Sequence, residues 1–210
     1  SCHKGEEERY PAKNELLFQG VQLGVPMKSQ VKEQHRFIYT SEDKKPVYQV
    51  RPDGFSFSRL APYDRWESFK DEASRLWKIY RERLTPMTVT SQSVRYVNRL
   101  DIPATGRAEI KDYLRTQPEI AEGLPQTLAG YFMQLQIPVE DIKCRLVLNE
   151  TIVESPKAGC LGLILDIDLV RADDIPQDEG GIWQLFETLR VRKNEVFETC
   201  ITDRARELFK

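Results

Sequence analysis

Long apolar runs are missing from this sequence. The strongest, LGLILDIDLV, is interrupted by Asp166 and Asp168, so nothing approaches the ~20 apolar residues of a membrane-spanning helix. Histidine is scarce: His3 and His35 are the only two, neither at ligand spacing, which disfavours a zinc site and a His-based catalytic triad. The four cysteines, Cys2, Cys144, Cys160 and Cys200, include no C-x-x-C pair. Reduced thiols in a cytosolic protein are the default, with a Cys144–Cys160 bridge across adjacent strands as the alternative. Charge of one sign is not in excess either, since 31 basic and 33 acidic residues leave a net charge of -2. Nucleic-acid binding would therefore need a local patch, and general attraction to an anionic membrane is not expected. No Gly-rich phosphate loop, G-x-S-x-G elbow or H-E-x-x-H motif occurs. The opening SCHKGEEER has no apolar signal core and no methionine, and residues 1–35 read as a poorly defined segment.

What is present is an ordinary globular balance, 40% hydrophobic and 30% charged, in a chain of 210 residues. RFIYTSED, PVYQVRPDG and FSFSRL read as short strands, with Pro52-Asp53-Gly54 as a turn in which proline presets φ. A helix is expected over about Arg65–Arg83, capped by Asp64, with Trp66, Phe69, Ala73, Leu76, Trp77 and Tyr80 recurring at three- and four-residue steps. SVRYVNRLDIP follows as another strand. The second half repeats the order: AGYFMQLQIP, IKCRLVLNETIVE and CLGLILDIDLV as strands, then a helix over about Ile182–Phe197. The two helices begin alike, with Trp66-x-x-Phe69 and Trp183-x-x-Phe186. The expected fold is α+β: a largely antiparallel sheet from a duplicated strand-strand-strand-helix unit, with two long amphipathic helices on one face. The pseudo-repeats span 36–103 and 128–210. A connector, 104–127, carries a short helix near Ala108–Leu114, and one continuous sheet joins both halves.

Asp166 and Asp168 are the catalytic candidates. Strand alternation turns both carboxylates to one side about 7 Å apart, a spacing that suits a divalent cation if a third acid joins. The competing assignment pairs them with Arg95 and Arg99 of a neighbouring strand as ion pairs opposite the apolar face. Arg95 and Arg99 are also planar forks suited to phosphate, but Tyr96 and Asn98 fall on the other side of their strand, so a stacking aromatic is missing beside them. Asn98 and Asn194 complete the ligand-binding candidates. Lys193, at the edge of the second helix's apolar stripe, is a third catalytic candidate whose simpler role is to snorkel to solvent. Thr202 or Asp203 is expected to cap a final short helix. No metal or cofactor is implied.

GFSFSRLAPYDRWESFKDEASRLWKIY, RYVNRLDIP, GLPQTLAGYF, LILDIDL and WQLFETLRVRKNEVFETCITDRARELF together resemble a sporadically distributed prokaryotic family of conserved hypothetical proteins. The likeness runs from about Phe37 to Phe209. The family's opening apolar strand is not recognisable in residues 1–35. The resemblance implies a prokaryotic cytosolic protein, and patchy distribution associates such genes with mobile defence or toxin-antitoxin loci. It carries over no activity, cofactor or site residue. The expected function is a non-enzymatic binding or regulatory module that holds a protein partner or a second copy of itself. The alternatives are a metal-dependent phosphodiester or nucleotide enzyme using Asp166 and Asp168, and nucleic-acid binding through Arg95 and Arg99.

Overall fold

A computed structural model describes residues 9–23, 29–62, 65–83, 88–103, 109–126 and 128–209. The chain divides into two compact units, Ser1–Met87 and Thr88–Lys210.

In the first unit, strands β1 (Ala12–Leu23), β2 (Ser29–Thr40), β3 (Pro46–Arg51) and β4 (Gly54–Arg59) form an antiparallel meander in that order. Two of these lie wholly or largely in the segment that the sequence leaves undefined. A two-residue turn, Pro52-Asp53, joins β3 to β4, with Arg51 opposite Gly54. Alternation then turns Tyr48, Val50, Phe55 and Phe57 to one side, because Tyr48 pairs with Phe57 and Val50 with Phe55. Helix α1 (Trp66–Arg83) covers them. Its start agrees with the expected periodicity, while the proposed cap Asp64 lies outside the described residues. Phe69 meets Phe57 with ring centroids 4.8 Å apart, and Tyr80 meets Phe55 at 5.5 Å. Tyr39 stacks on Tyr48 at 4.5 Å, and Tyr10 meets Tyr48 edge-on.

In the second unit, β5 (Gln92–Pro103), β6 (Phe132–Val139), β7 (Cys144–Glu154) and β8 (Cys160–Arg171) form a sheet of order β5-β8-β7-β6, antiparallel throughout. The strands thus form two four-stranded sheets in place of one continuous sheet. β5, which the sequence pattern groups with the strands before it, pairs with β8 along its whole length. The expected connector helix is a single 3-10 turn, Ile110–Asp112. Helix α2 (Glu179–Cys200) is longer than its apolar stripe suggested, because Asp178 caps it by accepting a hydrogen bond from the Gly181 amide at 2.8 Å. It packs Leu185 and Leu189 onto the core formed by Leu100, Leu163, Leu165, Ile167 and Leu169, and Ile182 in its first turn is also buried. Helix α3 (Asp203–Glu207) follows, and Thr202 rather than Asp203 caps it, through the Ala205 amide. Ile201 bridges back to Leu114, fixing the end of α2 to the 110–116 segment. No helix among the described residues is long and apolar enough to cross a membrane. Cys144, Cys160 and Cys200 are free thiols, so the Cys144–Cys160 bridge is not formed.

Candidate functional site

Period-two alternation gives the second sheet two unlike faces. Odd positions of β8 and even positions of β5 and β7 face α2, leaving Arg95, Val97, Arg99, Asp166, Asp168, Asn149 and Gln134 on the opposite face. Most of the candidates drawn from the sequence meet here. Arg95 and Asp168 are directly opposite in the ladder, yet Arg95 reaches diagonally to Asp166. It donates from Nε to Oδ1 at 2.8 Å and from Nη2 to Oδ2 at 2.7 Å, a two-point fork. Asn149, across the other ladder, donates to the same Oδ2 at 3.0 Å. Asp166 is nearly buried beneath these groups although it lies on the open face. Its bond to Asp166 in turn holds the Arg95 guanidinium above its usual pKa.

Asp168 is less well served. Burial pushes its carboxyl pKa up, Arg95 pulls it part of the way back, and Oδ1 is buried without a hydrogen-bond partner. Arg99 does not answer either aspartate. It donates from Nε to Asp101 Oδ1, two residues along its own strand, at 2.9 Å, and from Nη2 to the Glu154 carbonyl. Ser155 Oγ adds a bond to Asp101 at 2.9 Å. The Arg99 hydrogen bond holds the Asp101 carboxyl below the usual carboxylate range. Gly162 leaves room for this arm, since a Cβ there would lie 3.3 Å from Arg99 Nη2 and 2.8 Å from the Val153 carbonyl oxygen.

The remaining candidates are elsewhere. Asn98 faces the helix side and donates to the Leu165 carbonyl at 3.0 Å, closing a backbone acceptor within the sheet. Asn194 is exposed on α2. Lys193 departs from the expected snorkel. It is 8% exposed, and its ammonium sits 3.6 Å above the centre of the Tyr96 ring. Burial, with Arg190 adding to it, lowers the Lys193 pKa to about 8. Among the described residues no three His, Cys, Asp or Glu side chains are grouped to hold a metal ion. With both Asp166 oxygens engaged by Arg95 and Asn149, the Asp166–Asp168 pair keeps only Asp168 Oδ1 without a hydrogen-bond partner.

Two features were missed from sequence. Glu150 is buried on the helix side of β7, at an apolar position of the alternation Cys144, Leu146, Leu148, Glu150, Ile152, and that misplaced acid is the signal that could have found it. The other is β6, a sheet edge without one charged side chain, carrying Phe132 at 68% and Ile137 at 42% exposure. No protein-family model, curated protein or solved structure matches the chain.

Proposed function

We propose that this protein is a non-enzymatic binding module whose second unit holds a protein partner in extended conformation along β6, the partner of first choice being the same strand of a second copy. The observation that carries this reading is the chemistry of that edge. Edge strands of soluble proteins are ordinarily blunted by charge, especially lysine, because unpaired backbone groups template further strands. β6 reads Phe-Met-Gln-Leu-Gln-Ile-Pro-Val, and only Pro138, near its end, interrupts its capacity to donate. The opposite edge, β5, carries Arg95, Arg99 and Asp101. A two-fold pairing of β6 with itself brings no like charges together and sets Gln134 and Gln136 among amide partners. The order of three antiparallel strands followed by a long helix, β2-β3-β4-α1 and β6-β7-β8-α2, supports a duplicated origin for the two units. Free thiols support a reducing, cytoplasmic location.

The test is the molar mass of the wild type over a concentration series, by light scattering on a sizing column, beside the Gln134→Lys/Gln136→Lys double variant. Concentration-dependent dimerisation that the variant loses is the expected result. A wild type that stays monomeric, and that enriches no displayed peptide over the variant, overturns the reading. So does metal-dependent hydrolysis of nucleotides or nucleic acid that disappears in Asp166→Ala.

A further inference from the structure

The acid on β7 sits among groups that do little to stabilise its charge. Glu150 is 0% exposed, and neither carboxyl oxygen has a hydrogen-bond partner. Along its transverse row the neighbours are Met133 of β6, Leu165 of β8 and, beyond that, Asn98 of β5, whose amide is already committed to the Leu165 carbonyl. Among the described residues, polar groups from two other places act on it. Tyr131, just before β6, brings a hydroxyl close enough to favour the carboxylate, but the two do not reach hydrogen-bond geometry and the hydroxyl is itself buried and unpartnered. Cys200, the last residue of α2, brings a thiol, and burial first and Glu150 second push that thiol up to about 11. Arg115 acts on Cys200, but among the described residues no cation acts appreciably on Glu150. Lys193, from the same helix, is turned onto Tyr96 instead.

A carboxylate placed here would lose its hydration with nothing to replace it, whereas the protonated acid forfeits far less. We infer that the folded second unit carries Glu150 as a neutral carboxylic acid, so that closing β7 against α2 takes up one proton and releasing it to water loosens this seam. The inference is independent of the binding role of β6. Burial raises the carboxyl pKa from its ordinary 4.5 to about 7, which places the release near neutrality. Because the folded value lies above the unfolded one, the stabilisation is complete below about 4.5 and is lost as pH rises through about 7. Lys193 runs the other way. Its folded value of about 8 lies below 10.5, so its contribution is complete at high pH and lost as pH falls through about 8. Neither of these two groups contributes between about 7 and about 8.

The experiment follows thermal unfolding of the full chain across pH, with hydrogen exchange read separately over β6, β7 and the end of α2. Wild type, Glu150→Gln and Glu150→Met are compared, so that titration of every other group cancels in the differences. The wild type is expected to lose about 5–10 °C of melting temperature relative to Glu150→Gln between mildly acidic pH and pH near 8, with faster exchange in the three named segments. Glu150→Met should melt above the wild type at the alkaline end. A wild-type-to-Gln difference that does not change with pH overturns the inference. So does a carbon-13 carboxyl resonance of Glu150 that titrates at its ordinary value in the folded wild type, a measurement that decides the matter even if neither variant folds.

Discussion

The two units cover one face of a four-stranded antiparallel sheet with one long helix, but they fill the seam with different side chains. The first uses rings: Tyr39, Tyr48, Phe55 and Phe57 on the sheet against Phe69, Trp77 and Tyr80 on α1. The second uses branched aliphatics, Leu163, Leu165, Ile167 and Leu169 against Leu185 and Leu189. A tyrosine spans its own seam and places its hydroxyl at the rim. Tyr10 donates to Glu72 at 2.8 Å and Tyr80 to the Arg51 carbonyl at 3.1 Å. Leucine and isoleucine offer no such exit, so polar groups in the second seam are sealed in: Gln92, Glu150 and Lys193 are all buried. Aromatic packing tolerates a polar neighbour by conducting it to water. Aliphatic packing forces the polar group to be neutral, or to find a ring.

The largest test of this contrast is Leu189→Ala. Leu189 is fully buried between α2 and the sheet, and its truncation should cost about 3 kcal/mol, seen as a lower denaturant midpoint and faster exchange in the second unit. Next comes the open face. Arg95→Ala leaves Asp166 nearly buried with Asn149 as its remaining side-chain donor, and a loss of about 2 kcal/mol is expected. Arg99→Ala should stay below about 1 kcal/mol, because its pair with Asp101 lies at a wet edge where Ser155 also serves the acid. Equal losses for the two arginines would break the distinction between them. Smallest among the buried contacts is Tyr80→Phe, which keeps the ring packing and deletes one hydrogen bond, for about 1 kcal/mol.

Local periodicity made much of this visible in the sequence. The alternation of LGLILDIDLV specified which side chains of β8 enter the core, and the same parity argument put Arg95 within reach of Asp166. It could not foresee that Arg99 would turn to Asp101 on its own strand, because the choice depends on space left by Gly162 in the neighbouring one. The β5–β8 partnership was anticipated through charge alone, as arginines answering acids, and the division of the strands into two sheets was the larger blind spot. Whether β5 joins the strands before it or β8 is settled by matching twelve residues against twelve, a long-range quantity that no window along the chain contains. Lys193 was misread for a related reason: helical spacing gives the direction of a side chain but not the distance to water. Glu150 was legible in principle, as one acid in an apolar register.

The Lys193–Tyr96 contact also makes the seam observable without perturbing it. An aromatic ring carries an induced current in a magnetic field, and protons directly above its face are shielded. The ε-methylene protons of Lys193, attached to an ammonium 3.6 Å over the ring centre, should therefore resonate well upfield of every solvent-exposed lysine. Their displacement reports the distance between α2 and β5 in solution, and its shrinkage on warming or on a change of pH would register the parting of helix and sheet before any global transition begins.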